Sequence, residues 1–519
     1  MTYNKFNSFW LALLVSLGGF VFGFDASVIS GAIGQISTQY SLGPLEQGLV
    51  VGSPTLGAIL SACVVGYLTD YYGRKKILIL IAFLYLISVL GSAFATGYMM
   101  LVIFRFIGGL AFASLMVAPL YIAEISPAAL RGKYVSINQL NIMLGFSAAY
   151  FSNFWLLSLA DSNSAWVIEL GMKDVLWRWM LGLEFVPSLL YFLLLFLIPE
   201  SPRWLILNNQ KVTAQKILQR LVPENEVAEQ LAHEPDAMHE TSLFKKIASL
   251  FDNRTRFILL IGIVVGIIQQ ATGVNAIYFY APTIFEQSGI GTNAAFAQAI
   301  WIGIVNIVFT LLAIATIDRL GRKPLLMAGL LGVVVSMGIC GYGFSQAKYQ
   351  LTEINTKAVL ADDELQKLVP MIGNMYESDV AFKQALRERL GNQRAKQHEA
   401  VLLTSATQIN TTLILIGVFG FVAAFAVSLG PVMWVLLSEI FPNQVRGVAI
   451  AFVGVINSVV SFAVQLFFPW QLENLGAAVT FIIYGLFAVL GFIFIVRYLP
   501  ETKGQSLEQL EMSLANKST

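Results

Sequence analysis

The sequence predicts an all-α membrane protein. It has twelve transmembrane helices in two pseudo-symmetric halves of six, with a helical segment on the cytoplasmic side. Three observations carry this. Of 519 residues, 57% are hydrophobic and only 12% are charged, with a mean hydropathy of +0.71; a soluble domain is about a quarter charged. Twelve apolar runs are each long enough to cross a hydrocarbon core of about 30 Å as a helix. And the loops between the runs repeat at corresponding places.

The runs fall at about 9–33, 47–69, 77–96, 99–122, 134–157, 177–198, 257–285, 295–317, 324–344, 409–437, 446–469 and 476–498. The first has no small-residue cleavage site after a short core, so it reads as a retained span. Orientation follows the basic residues of the short loops. Arg74, Lys75, Lys76, Arg131, Lys133, Arg319, Arg322, Lys323 and Arg446 all follow even-numbered spans, with Lys173 and Arg178 the exceptions after odd ones. Both termini are therefore expected in the cytoplasm of a cell whose plasma (inner) membrane holds the chain. The expected organisation is an N-terminal half 1–198, an intracellular helical segment 199–256, a C-terminal half 257–498 with an external insertion 345–408, and a tail 499–519.

The repeat is specific. "DYYGRKK" (70–76) corresponds to "DRLGRKP" (318–324), "EISPAALRG" (124–132) to "EIFPNQVRG" (439–447), and "PESPRW" (199–204) to "PETKG" (500–504). The first pair lies 248 residues apart and the second 315, a difference of 67 that places the insertion between spans 8 and 10. Parallel repeats of this kind are typical of secondary transporters.

Several classes are excluded. A net charge of +1 gives nucleic acid nothing to bind. Cys63 and Cys340 sit in apolar runs without disulfide or metal spacing, and His233, His239 and His398 all lie in polar segments. No enzyme activity, cofactor or metal is expected, and a monomer suffices.

Asp25 interrupts the apolar run "GGFVFGFDASVISGAIG" (18–34). Counting inward from the outer ends of spans 1, 4 and 6 puts Asp25, Arg105 and Glu184 at one depth, roughly 9–12 Å below the surface at 1.5 Å per residue. Intramembrane charges face the bundle interior and pair. One reading is a structural ion pair. The other is a proton relay, in which protonation of Asp25 releases Arg105 and changes the favoured conformation. Amides recur near the midplane: Gln269, Gln270, Asn306 and Asn457, with Gln139 nearer the cytoplasm. Each offers donors and an acceptor that can bridge neighbouring hydroxyls. Phe22, Tyr278, Phe279, Tyr280 and Trp434 flank them. Arg105 is the one basic residue well inside a span, so phosphates, nucleotides and carboxylates are disfavoured as substrates. Taken singly, such amides also serve as helix–helix hydrogen bonds.

The six paired motifs, with "QQATGVNAIYFYAP" (269–282), resemble the sugar porter family of the major facilitator superfamily over nearly the whole chain except 345–408. The resemblance implies the major facilitator fold. "FGFD" (22–25) is similar to the first-span motif of bacterial and plant proton–sugar symporters; it implies that Asp25 is the proton site, Arg105 its partner and Glu184 part of the cluster. Facilitative relatives carry a neutral residue in place of Asp25. The resemblance further implies that Gln139, Gln269, Gln270, Asn275, Asn306, Trp434 and Asn457 contact sugar. Phe146, Phe279 and Ser458 depart from the family pattern and leave the sugar open between hexose and pentose.

Gly273, Pro282, Gly430 and Pro431 are expected to interrupt spans 7 and 10 as gates. In the repeated motifs, Asp70 is expected to pair with Arg74, Glu124 with Arg131, Glu200 with Arg203, Asp318 with Arg322 and Glu439 with Arg446; the family role of this network is a latch favouring the outward-open state. "TSLFKKIASLF" (241–251) places Leu243, Phe244, Ile247, Leu250 and Phe251 on one helical face. The sequence thus predicts a proton-coupled monosaccharide importer working by alternating access, with sugar, protons and the lipid bilayer as partners. A uniporter, and a sugar sensor on a transporter fold, are the alternatives.

Overall fold

The computed structural model describes residues 5–162, 164–232, 249–252, 255–352, 365–442 and 445–503. Among them, twelve helices are long and apolar enough to span a membrane: Asn7–Gln39, Pro44–Tyr72, Arg74–Ala93, Tyr98–Ile125, Arg131–Ala160, Leu176–Leu197, Arg256–Phe279, Thr292–Leu320, Arg322–Ser345, Thr411–Ile440, Arg446–Asn474 and Gly476–Tyr498. These are spans 1 to 12. The chain forms two compact units. The first holds Met1–Ile29, Ser53–Ser152 and Trp177–Lys246; the second holds Ser30–Gly52, Asn153–Leu176 and Ile247–Thr519.

In the first unit, spans pack backbone to backbone through glycine. Gly23 and Gly145 bring spans 1 and 5 together: a Cβ at either would meet the carbonyl of Ile142 or Phe20. Gly57 and Gly109 do the same for spans 2 and 4. Small residues at such crossings let helices approach where lipid offers no hydrophobic drive. The segment after span 6 begins with an N-cap: Ser201 Oγ accepts from Trp204 N, and Pro202 takes the first helical position. Helices Pro202–Leu207, Lys211–Leu221 and Glu224–Ala232 follow. Their Leu205, Leu218, Leu221 and Val227 join the same buried cluster as Val15, Ile81 and Ile122 of the spans. Of the apolar face expected at 241–251, Leu243, Phe244 and Ile247 lie outside the described residues; Leu250 is buried and Phe251 exposed.

Breaks fall where the chain cannot continue a helix. Pro187 lacks an N–H and crowds the carbonyl four residues back, and span 6 is interrupted at Glu184 between Leu176–Leu183 and Phe185–Leu194. Span 7 breaks at Gly273, whose φ of 88° suits glycine alone and whose Cβ would collide with the Tyr484 ring. A separate helix Ala281–Gln287 carries Pro282 in its first turn, so the predicted run 257–285 is three pieces. Span 10 breaks at Ser428, just before Gly430 and Pro431.

The insertion in the second unit carries its own core. Strands β1 (Lys348–Gln350), β2 (Met375–Tyr376) and β3 (Thr407–Gln408) form an antiparallel sheet in the order β2-β1-β3. Helices Asp379–Leu390 and Asn392–Ala406 pack on it through Tyr349, Phe382, Leu386 and Leu402. Buried Lys383 lies 3.4 Å from Asp379 and 3.7 Å from Glu399. Arg387 pairs with Glu473 at the end of span 11 at 2.7 Å.

Candidate functional site

The first unit holds the buried charges. Arg105 Nη1 lies 3.4 Å from Asp25 Oδ1. Asp25, Arg105 and Glu184 are all at least 96% buried (4, 3 and 3% exposed), deep enough that both charges of the pair are desolvated. Span 1 supplies Asp25, span 4 Arg105, and the proline-induced break of span 6 supplies Glu184. Arg105 engages one oxygen of Asp25, while Asp25 Oδ2 and Glu184 Oε1 are buried without a hydrogen-bond partner. Phe22 is half-buried, edge-on to Phe112 at 4.6 Å and to Phe146 at 6.5 Å. Gln139 is exposed on the surface of the first unit.

The second unit holds the midplane amides, and Gln269, Gln270, Asn275 and Asn457 close into one network. Gln269 donates to the Leu429 carbonyl (3.0 Å) beside the span 10 break. Asn457 donates to Gln269 Oε1 (2.8 Å) and to the Gly266 carbonyl (2.9 Å). Gln270 donates to Asn457 Oδ1 (3.2 Å), and Asn275 donates to Gln270 Oε1 (2.9 Å) and to Ser461 Oγ (2.5 Å). Asn306 accepts from Tyr278 Oη at 3.2 Å. Gln270 and Asn275 are half-buried, and Trp434 is 46% exposed, its ring edge facing Gly454 one turn before Asn457. Amides that are already paired to one another yet partly open can exchange those bonds for a ligand's hydroxyls without leaving any group stranded. Ser461 and Gln465, which donates to Ser461 Oγ at 2.8 Å, extend the network. Sequence reasoning missed both. The signal was a polar stripe at 457, 461 and 465, four residues apart on one face of an apolar helix.

The repeated motifs build the same cluster twice. Arg74 meets Asp70 (3.0 Å) and, through two hydrogen bonds, Glu124 (3.1 and 3.2 Å), which also accepts from Ser201. Arg322 meets Asp318 (3.1 Å) and Glu439 (2.7 Å), which accepts from Thr502 (2.6 Å). Glu200 accepts from Lys75 N, and Glu501 from Arg322 N and Lys323 N, all at 3.0 Å, neutralising the free N–H groups at the start of spans 3 and 9. Gly73 and Gly321 precede those spans with φ of 97° and 94°, where a side chain would strike the same carboxylates.

The pairings of Asp70 with Arg74 and Asp318 with Arg322 are as expected. Three others are corrected. Glu124 and Glu439 pair with Arg74 and Arg322 rather than with Arg131 and Arg446, because the heads of spans 3 and 9 abut the ends of spans 4 and 10. Arg131 and Arg446 instead donate to the carbonyls of Ala123 (3.1 Å) and Phe441 (3.2 Å), as basic side chains do at helix C-termini. Glu200 caps span 3 rather than meeting Arg203, which is exposed.

A family model described as "Sugar (and other) transporter" matches residues 11–360 and 398–514. The chain is a sugar porter of the major facilitator superfamily. The arabinose-proton symporter of Bacillus subtilis (strain 168) is 33% identical over 515 residues, covering 98% of this chain and 96% of that one. The D-xylose-proton symporter of Escherichia coli (strain K12) is 31% identical over 542 residues, covering 98% and 96%. Among solved structures, the inward open conformation of the xylose transporter XylE from E. coli matches with a TM-score of 0.72 at 29% identity over 98% of this chain and 99% of that one. Membership makes this sugar porter a multi-pass integral membrane protein and a transporter rather than an enzyme. Residues 361–397, the centre of the insertion, lie outside the family match.

Proposed function

We propose that this protein is a proton-coupled symporter that imports a monosaccharide, hexose or pentose, by alternating access. The observation that carries the reading is the Asp25–Arg105 pair, buried inside the spans of the first unit together with buried Glu184. A charge so placed costs several kcal/mol unless it is paired or titrates. Asp25 takes the proton, Arg105 is released when it does, and Glu184 shares the cluster. Gln269, Gln270, Asn275, Asn306 and Asn457 hydrogen-bond sugar hydroxyls, and the Trp434 ring lies against its C–H face. Two of the relatives are themselves named as proton symporters of arabinose and xylose. The Arg74 and Arg322 clusters act as latches. The chain sits in the plasma (inner) membrane with both termini cytoplasmic, and works as a monomer without nucleic acid.

The test is a panel of labelled arabinose, xylose and glucose in proteoliposomes, with and without an inward proton gradient. At least one sugar should accumulate above equilibrium only with the gradient. Equilibration alone in both conditions overturns the coupling, and failure to move any sugar overturns the substrate class.

A further inference from the structure

Three of the unpartnered polar atoms of the first unit lie on one helix. Glu184 Oε1, Ser188 Oγ and Tyr191 Oη are each buried without a hydrogen-bond partner. They stand at i, i+4 and i+7 of span 6, so they share one face over about 10 Å. Ser188 and Tyr191 are fully buried. The file begins at the Asp25 pair. A Cβ on Gly108 would strike Ser88 Oγ and lie 3.3 Å from Asp25 Oδ2, so both atoms pack against this one glycine of span 4. It ends around Gly18, where a Cβ would lie 2.6 Å from Tyr191 Oη. There Tyr85 Oη bonds Ser114 Oγ at 3.1 Å, and Ser114 donates to the Gly18 carbonyl at 3.5 Å. Gly18 lies seven residues, about 10 Å, from Asp25 along span 1, in the direction of the Arg74–Glu124 cluster.

Buried polar atoms are normally satisfied, and a run that is not needs a reason. A hydroxyl both accepts and donates, so it can hand a proton on while remaining neutral. Arg105 occupies Oδ1 of Asp25 and leaves Oδ2 buried without a hydrogen-bond partner. The titratable and charged groups along it are Asp25 from span 1, Tyr85 from span 3, Arg105 from span 4, and Glu184 and Tyr191 from span 6.

We propose that Glu184, Ser188 and Tyr191, bridged by water, form the path by which the proton leaves Asp25 toward the Arg74–Glu124 face. This rests on the proton-symport reading above. The Asp25 carboxyl gives its proton to the Glu184 carboxylate. Each hydroxyl then takes a proton on its oxygen as its own passes to the next, and water at the far end receives it. Asp25 is left ionised and paired with Arg105, and no electrons change hands. Ser188 and Tyr191 carry the proton and have no part in holding sugar.

The test compares Tyr191→Phe, Ser188→Ala and the double variant with wild type in proteoliposomes. Sugar binding and sugar counterflow should keep wild-type values. Proton-driven uptake, followed with an internal pH dye, should slow by about tenfold in the double variant, with a larger solvent deuterium effect. Wild-type proton-driven rates in the double variant overturn the path. So does a parallel loss of counterflow, which assigns these residues to packing. Should the double variant not fold, Tyr191→Phe decides alone, since it removes only one unpaired hydroxyl. Failure of the symport reading shows in the wild type, as sugar uptake indifferent to the gradient; failure of the path shows only in the variants.

Discussion

The two units carry the same lattice at the helix ends and opposite chemistry in the middle. Asp70–Arg74–Glu124–Ser201 and Asp318–Arg322–Glu439–Thr502 are the same construction, down to the glycine with positive φ and the capping glutamate. Inside the spans, the first unit buries an aspartate, an arginine and a glutamate, while the second holds a partly buried network of neutral amides. The difference teaches where a duplicated chain is free to diverge. The ends must satisfy orphan N–H and C=O groups and hold neighbouring helices in register, so both copies keep one solution. The interiors carry no such common demand. In the proposed reading one became the titratable half and the other the hydroxyl-binding half.

The sharpest way to break that division is Asp25→Asn, which mimics the protonated carboxyl permanently. Sugar binding and counterflow should survive, because the amide network belongs to the other unit. Accumulation driven by a proton gradient should fall to background. Measuring counterflow and proton-driven uptake in the same vesicles separates these. An Asn variant that still concentrates sugar would make Asp25 a structural partner of Arg105.

The equivalence of the two lattices can be broken next. The Arg74 and Glu124 side chains are 5% and 4% exposed, those of Arg322 and Glu439 12% and 28%. Removing one partner of a fully buried pair costs about 3–5 kcal/mol, because the other charge is stranded; a wetter pair loses much less. Arg74→Ala should therefore lower the melting temperature well beyond Arg322→Ala. Equal losses would mean that burial does not distinguish the copies.

Gln270→Ala and Asn457→Ala probe the second interior. Each should weaken sugar affinity by about 1–3 kcal/mol through lost or stranded hydrogen bonds. Fluorescence or calorimetric titration reads this directly. Proton flux uncoupled from sugar should not rise. Unchanged affinity in both would return the amides to a purely structural role.

Legibility followed the same division. Asp25, Arg105 and Glu184 stood out because each charge interrupts an apolar run, and counting residues at a fixed rise put them at one depth. Gln269, Gln270 and Asn457 stood out likewise, and the network joins them. The breaks at Gly273 and near Gly430 were written in backbone chemistry. What sequence spacing did not reveal was partnership across helices. Glu124 has Arg131 seven residues away in the chain, yet meets Arg74, which is fifty away. Ser188 and Tyr191 looked like ordinary residues of an apolar helix, because a hydroxyl adds no charge to the pattern. The sheet of the insertion was invisible for another reason: its strands are two or three residues long, too short to show alternation.

The smallest expected effect tests that lesson about partnership. By spacing, Arg131 and Arg446 are the natural partners of Glu124 and Glu439. In the structure each donates to a backbone carbonyl at the end of the preceding span, Arg131 to Ala123 at 3.1 Å and Arg446 to Phe441 at 3.2 Å. Arg131 is exposed and Arg446 half-exposed. Contacts of basic side chains with a helix C-terminus are worth about 0.3–1 kcal/mol at the surface. Water replaces the donor at the exposed Arg131–Ala123 contact, so nothing is stranded when that side chain is removed; the part-buried Arg446–Phe441 contact loses somewhat more. Arg131→Ala should thus shift the melting temperature far less than Arg74→Ala, and Arg446→Ala less than Arg322→Ala. Thermal melts of the four purified variants in one detergent give the comparison. If Arg131→Ala costs as much as Arg74→Ala, Glu124 depends on both arginines, and the nearest-in-sequence pairing holds after all.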